Sequence, residues 1–302
     1  MDQFLAIRVF ARVVEAGSFT KAADSLQMPK ATVTKLVQNL ESHLRVKLLQ
    51  RTTRRVTVTS DGAAYYERTA HLLNELDDIE ASLTHAQTKP RGRLRIDVPA
   101  SLARVLIIPA LPAFLARYPD IQIDLGVSDR RVDLVGDSVD CVIRGGALSD
   151  SSLVSRRVSA MSWCTVASPA YLARHGVPEH PQDLQSEHAV VSYFSSQTGR
   201  VLPLRFIDKK TKAPAIEIEG RRVVGVNDSN AHGAAALAGL GVIQTPCFAV
   251  RQYLQSGELV QILSAWDREP LPIHVLYPSN RHLSIKLRVF IDWVAELFEQ
   301  TP

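Results

Sequence analysis

The first sixty residues of this 302-residue chain hold ten basic side chains (Arg8, Arg12, Lys21, Lys30, Lys35, Arg45, Lys47, Arg51, Arg54, Arg55) against four acidic ones (Asp2, Glu15, Asp24, Glu41). The other 242 residues sum to −2 of the chain's net +4, so an anionic partner is expected for the amino-terminal part alone. From Arg45 to Ser60 there is no acidic residue, and Arg51, Thr52, Thr53, Arg54 and Arg55 follow one another. Guanidinium and hydroxyl groups at that density suit phosphate oxygens, and arginines at a hairpin tip suit the negative potential of a narrow minor groove. Just upstream, Lys30, Thr32, Thr34, Lys35 and Gln38 present ammonium, hydroxyl and amide donors of the kind that reach base edges, with Ala31 among them offering apolar contact.

Other chemistry is poorly represented. No GxSxG, P-loop or GxGxxG occurs, and Gly239-Leu-Gly241 lacks the third glycine of a nucleotide site, so no enzyme activity is expected. His175 and His180, with Glu179 and Glu187 nearby, sit in a proline-bracketed loop, and neither a metal site nor a cofactor is expected there. Cys141, Cys164 and Cys247 are odd in number and show no zinc or redox spacing, which favours a reducing compartment. Charges at Asp2, Arg8, Arg12 and Glu15 interrupt the start of the chain, and Asn230, His232, Gln244, Pro246 and three glycines interrupt the uncharged stretch Ser229 to Val250. Neither export nor a membrane span is expected, and the chain is placed in the cytoplasm.

The elements that must position the basic residues follow from helical periodicity. Phe4, Ile7, Phe10, Val13 and Val14 form one amphipathic helix ending at Gly17. Ser18 can cap a second, with Phe19, Ala22, Ala23 and Leu26 inward. A third runs from about Lys30 to His43 with Val33, Leu36, Val37, Leu40 and Leu44 on one side, turning Ala31, Lys35 and Gln38 furthest away. Two helices joined by a short turn, the second polar outward, suit a helix-turn-helix; a three-helix bundle with a solvated face is the lesser alternative. The alternation Val46, Leu48, then Val56, Val58 adds a two-stranded wing around the arginines.

With Gly17-Ser-Phe-Thr-Lys-Ala-Ala-Asp-Ser-Leu26, Ala31-Thr-Val-Thr-Lys35, Leu40-Glu41 and Arg51-Thr-Thr-Arg-Arg-Val-Thr-Val-Thr59, the first sixty residues resemble the winged helix-turn-helix of LysR-type transcriptional regulators. The resemblance implies base contacts from Lys30, Ala31, Thr34 and Lys35 and a wing contact from Arg54 or Arg55. The candidate DNA-binding set is Ser18, Lys30, Ala31, Thr32, Thr34, Lys35, Gln38, Arg51, Arg54 and Arg55. Where many members carry Ser-Gln-Pro before the recognition helix, this chain has Pro29-Lys30-Ala31.

From Asp61 to Gln87 there is no proline, and Tyr65, Leu72, Leu76, Ile79, Leu83 and Ala86 recur at heptad spacing. A helix of this extent is about 40 Å long, and a seam centred on Leu72, Leu76, Ile79 and Leu83 suits pairing with a second chain. Packing on the rest of the same chain is the alternative. The resemblance implies dimerisation here, so the chain divides into a DNA-binding domain (1–60), a linker helix (61–89) and an effector domain (90–302).

After Arg93, short apolar runs alternate with amphipathic helices, an α/β pattern that predicts a mostly parallel sheet covered on both faces. The family's effector domain has two such lobes, which places lobe I at 90–166 and 267–302 and lobe II at 167–266, with crossings near Ala167 and Trp266. Ligands in such folds sit at strand ends near helix amino termini. Ser101, Ser128, Asp129 and Arg144 on one lobe, with Asn227, Asp228 and Thr245 on the other, are the candidates for a small, anionic effector, although Ser101, Asn227 and Asp228 suit helix capping and Arg144 suits an ion pair with Asp129 or Asp140. The implied function is effector-modulated, sequence-specific binding of double-stranded DNA by a homodimer or homotetramer. A DNA-binding architectural protein whose α/β part binds a protein is the alternative.

Overall fold

A computed structural model describes residues 2–51, 56–83, 89–130, 134, 139–146, 153–278 and 283–299. The chain forms two compact units, Met1–Thr88 and Lys89–Pro302.

In the first unit, helix α1 (Gln3–Ala16) is capped by Asp2 at its start and ends on Gly17, whose φ of 59° is readily adopted without a Cβ. Helix α2 (Phe19–Leu26) is capped by Ser18, and α3 (Lys30–Leu44) follows after Met28 and Pro29. Ala6, Val9, Phe10, Val13, Ala22, Val33, Val37 and Leu40 close the core between them. Arg45 adopts a left-handed conformation that stops α3, so strand β1 (Leu49–Arg51) begins later than the Val46, Leu48 alternation suggests, and pairs antiparallel with β2 (Val56–Val58). Helix α4 (Ser60–Leu83) leaves the wing at Gly62, where a Cβ would lie 2.0 Å from the Leu48 carbonyl oxygen; only glycine permits this approach.

The second unit opens with β3 (Gly92–Val98) and α5 (Ala100–Leu102), which continues through a π-helical turn (Ala103–Ile107) into α6 (Ile108–Arg117). This continuous stretch, Ala100–Arg117, has the length and hydropathy of a membrane span, yet Leu102, Ala103, Ile107 and Phe114 are buried in the domain core. Strands β4 (Ile121–Val127), β5 (Cys141–Gly145) and β6 (Leu153–Met161) complete the first pass through lobe I. Lobe II contains β7 (Trp163–Ala167), α7 (Pro169–His175), α8 (Asp183–Ser186), β8 (Ala189–Phe194), β9 (Val201–Leu202), β10 (Leu204–Asp208), β11 (Ile216–Ile218), β12 (Arg221–Val226) and α9 (Ser229–Leu237). It continues with β13 (Ile243–Pro246), α10 (Cys247–Ser256), β14 (Val260–Ile262) and β15 (Trp266–Asp267) before β16 (Leu271–Pro278) and α11 (Ile285–Glu299) return to lobe I.

The lobe I sheet has the order β4-β3-β5-β16-β6. It is mixed rather than mostly parallel: β3 pairs parallel with β4 and β5, whereas β16, arriving from the other lobe, runs antiparallel to β5 and β6. In lobe II, β8 is parallel to β12, and β7 is antiparallel to both β13 and β14. Since β6 belongs to one lobe and β7 to the other, the chain crosses at Ser162, earlier than Ala167, and it returns between β15 and β16. The short helix read near Val132 falls outside the described residues.

Candidate nucleic-acid interface and interlobe cleft

The sides of α3 separate as the periodicity requires. Val33, Val37 and Leu40 are fully buried, Lys30, Ala31, Lys35 and Gln38 are exposed, and Thr32 and Thr34 lie half-buried between them. Pro29 offers no side-chain cap; the Thr32 N–H donates instead to the Pro29 carbonyl at 2.9 Å, so the positive end of the α3 dipole is not capped by a side chain. Ser18 is spent locally, its hydroxyl accepting from the Lys21 N–H at 3.5 Å. The arginine tip, Arg54 and Arg55, and the side chain of Arg51 lie outside the described residues.

One acidic residue ties the wing to the recognition helix. Glu41 is only 3% exposed; its carboxylate accepts from the Leu48 and Leu49 N–H groups at 3.0 and 3.1 Å and from Lys47 Nζ at 2.8 Å. Burial alone would raise its pKa, but the Lys47 ammonium and the two amides outweigh burial and hold the carboxyl below the usual glutamate range. A depressed folded-state pKa stabilises the fold above the unfolded pKa, and this stabilisation is lost as pH falls through the folded value. Glu41→Ala is therefore expected to cost about 1–3 kcal/mol at neutral pH by orphaning two buried amides. The difference from the parent should shrink on acidification through that value, as read by melting temperature against pH.

The linker helix contributes to two surfaces. Leu73 is buried in the first unit's core and Tyr65 packs on Phe10 with ring centroids 5.8 Å apart, so Tyr65 belongs to the intramodule face and not to the heptad seam read from its spacing. The Tyr66 hydroxyl donates to Glu15 at 3.2 Å, fixing the same face. Leu72, by contrast, is 57% exposed, and Phe4 on α1 is 60% exposed. Leu76 is half-buried, and the side chains of Ile79 and Leu83 lie outside the described residues.

Between the lobes the central group is Asp129. Its carboxylate accepts from the Ala100 N–H at the start of α5 (2.9 Å) and from the Ser229 N–H at the start of α9 (2.5 Å), one helix from each lobe. The Ser101 N–H donates to the Ser229 hydroxyl at 3.0 Å, and Arg104 reaches Asn230 at 2.9 Å. The Tyr193 hydroxyl, which donates to the Asn227 carbonyl at 3.2 Å, also meets Asp129; burial first, and then the Asp129 charge, push its phenol well above the usual range. Ser101, Asp129 and Asn227 are thus joined in one interlobe network. Ser229 and Tyr193, which sequence reasoning did not single out, complete it; the only signal for Ser229 was its place one residue after Asp228.

The remaining candidates are placed differently. Asp228 caps α9 by accepting from the Ala231 N–H at 2.8 Å, and Ser128 accepts locally from the Arg130 N–H at 3.0 Å. Thr245 is buried in β13 opposite Cys164. Arg144 pairs with Asp97, rather than with Asp129 or Asp140, and donates to the Arg130 carbonyl at 2.8 Å. That last bond ties it to the loop that carries Asp129. His175 stacks on Tyr171 and His180 lies edge-on to Trp266, with centroids 4.6 and 4.7 Å apart. Among the described residues no three His, Cys, Asp or Glu side chains are grouped to hold a metal ion.

Residues 4–63 match the model of the bacterial regulatory helix-turn-helix protein, lysR family, and residues 87–299 match that of the LysR substrate binding domain. The chain is a LysR-type transcriptional regulator. This regulator is 41% identical over 302 residues to an HTH-type transcriptional repressor of Pseudomonas aeruginosa (strain UCBPP-PA14), covering 100% of this chain and 94% of the other. It also resembles the structure of CrgA, a LysR-type transcriptional regulator from Neisseria meningitidis (29% identity, TM-score 0.63, covering 97% of this chain and 98% of that one). The full-length Vibrio cholerae virulence activator AphB is similar too (32% identity, TM-score 0.60, coverage 96% and 98%). The family is DNA-binding, and the regulator's two units correspond to its DNA-binding and effector-binding parts.

Proposed function

We propose that this regulator binds a two-fold symmetric operator as a homodimer or homotetramer, acts in the cytoplasm, and changes its DNA affinity when a small anionic molecule binds between lobes I and II. The observation that carries the reading is the outward row Lys30, Ala31, Lys35 and Gln38 on a helix whose wing is anchored from behind by Glu41. Lys30, Ala31, Thr34 and Lys35 at the start of α3 contact base edges, with Gln38 beside them, and the wing arginines Arg51, Arg54 and Arg55 meet phosphate and the minor groove. The seam residues Leu72, Leu76, Ile79 and Leu83 set the half-site spacing.

For the effector, Asp129 defines what binding must achieve. Its carboxylate already accepts from both lobes' helix starts, so an anionic effector near Ser101, Ser128, Arg144, Asn227, Asp228 and Thr245 must displace or rearrange that contact. A ligand that prefers the rearranged state shifts the lobes, which is the differential binding that regulation needs. A thermal-shift panel of small carboxylates and aromatic acids tests this. The expected result is a rise in melting temperature with one chemical group of anionic ligands that grows in Asp129→Ala, because the alanine no longer competes for the two helix starts. No rise with any member, together with unaltered operator binding, would favour a protein partner for the α/β domain instead.

A further inference from the structure

The three cysteines lack redox spacing in the sequence, but the fold brings two of them together. Strands β13 and β7 run antiparallel with Thr245 opposite Cys164 and Pro246 opposite Trp163, and the Cys247 N–H then donates to the Ser162 carbonyl at 2.9 Å. Alternation along β13 returns Cys247 to the side of the sheet that Cys164 occupies, and the Cys164 thiol donates to the carbonyl of Thr245, two residues before Cys247, at 3.6 Å. Cys164 is buried and Cys247 half-exposed.

The two sulfurs are inequivalent. Cys247 opens α10, whose start has no side-chain cap. The Cys164 thiol hydrogen bond, opposed by burial and helped by Ser162 and the Arg251 guanidinium, lowers the Cys247 thiol below its ordinary range. Cys164 moves up for the reciprocal reason, and Cys141 is pushed up by complete burial and by the charge of Asp140. Accessibility and acidity therefore coincide at Cys247, with Cys164 behind it as the resolving thiol.

The pair also stands where the lobes meet. Cys247 follows directly on β13, while Phe248 and Ala249, the next two residues of α10, are buried in the lobe I core. Arg104 of lobe I donates to the Ala249 carbonyl at 3.3 Å. Ser162, which holds the Cys247 N–H, is the crossing residue between lobes. A cavity of about 180 Å³ between Arg104–Leu106 and α10, lined also by Phe248 and Arg251, leaves the helix start room to shift.

We propose that Cys164 and Cys247 are an oxidisable pair through which a hydroperoxide resets the lobe contact made by the start of α10. The Cys247 thiolate attacks the distal oxygen of the hydroperoxide; the O–O bond breaks, an S–O bond forms, and the departing alkoxide takes up a proton to leave as alcohol. Cys164 then attacks the Cys247 sulfur, the S–S bond forms, and hydroxide leaves with the Cys164 proton as water. Two thiols and one hydroperoxide yield one disulfide, one alcohol and one water, the two electrons passing from sulfur to oxygen. Bond formation draws the start of α10 toward β7 and moves Phe248 and Ala249 relative to lobe I.

The test uses the full-length reduced protein, tert-butyl hydroperoxide, and peptide mapping after alkylation. The expected result is a joined Cys164–Cys247 peptide pair with Cys141 still a thiol, formed on the order of tenfold faster than any oxidation of Cys247→Ser. Cys164→Ser should accumulate a sulfenic acid at Cys247, trapped by dimedone. Operator affinity of the oxidised parent should change by about fivefold or more, and that of peroxide-treated Cys247→Ser should not. Cys141 reacting as fast as Cys247, oxidation of Cys247 without loss of the Cys164 thiol, or a disulfide that leaves operator affinity unchanged would each overturn the proposal.

Discussion

Replacing Leu72 and Leu76 together with glutamate is expected to leave a monomer whose affinity for a two-fold operator is lower by roughly 10²–10³-fold. Leu72 projects from α4 with 57% of its surface exposed although it lies one residue from the buried Leu73, and Leu76 stands one helical turn on. An apolar side chain so placed gains most when a second helix covers it, and two carboxylates in that seam meet both desolvation and repulsion from their symmetry mates. The DNA loss follows because one module then binds one half-site without the effective concentration that its twin supplies. Sedimentation velocity and gel shift read the two effects. An unchanged assembly would assign dimerisation to the α/β domains.

The second large effect concerns Arg144. Its pairing with Asp97 places both groups largely out of water, 16% and 9% exposed at the side chain, and it also supports the Arg130 carbonyl. Arg144→Ala removes the guanidinium from a buried carboxylate and is expected to destabilise the effector domain by about 3 kcal/mol. In a domain of this size that lowers its melting temperature by roughly 6–12 °C. The double variant Arg144→Ala, Asp97→Asn should recover part of the loss, since it removes the carboxylate charge that Arg144 faced. Scanning calorimetry decides this. If Arg144→Ala melts like the parent yet no longer responds to ligand, the guanidinium serves the effector and not the fold.

What was legible in the sequence is what local physics determines. Helix spacing, the glycine at 17 and the run of basic residues depend on near neighbours, and they located α1 to α3 and the wing. Tyr65 shows where spacing fails: it fits a heptad with Leu72, yet α4 turns it onto Phe10, because the linker helix must also close the core of the first unit. In the α/β domain, α10 escaped notice because it begins directly after Pro246 on the end of a strand, with no polar capping residue to announce it. Of the Asp129 network, Ser101, Asp129 and Asn227 were legible as single candidates, but Ser229, Tyr193 and the network itself were not. Its contacts between the lobes join residues 100 or more apart, and the same Ser, Asn and Asp types serve as helix caps throughout the chain, as Asp228 does. The Cys164–Cys247 pair was hidden for the same reason, since only the β13–β7 register brings the two together.

The central claim is that the outward face of α3 reads base identity. Operator binding by the parent and by Lys35→Ala, measured against a set of operators with single base-pair changes across each half-site, tests it most directly. Lys35→Ala is expected to flatten the preference by about 1–3 kcal/mol at one or two adjacent positions and to leave the others as in the parent. A uniform loss of affinity on every operator, with the pattern of preference intact and the salt dependence reduced by about one counterion, would make Lys35 a phosphate contact and contradict it.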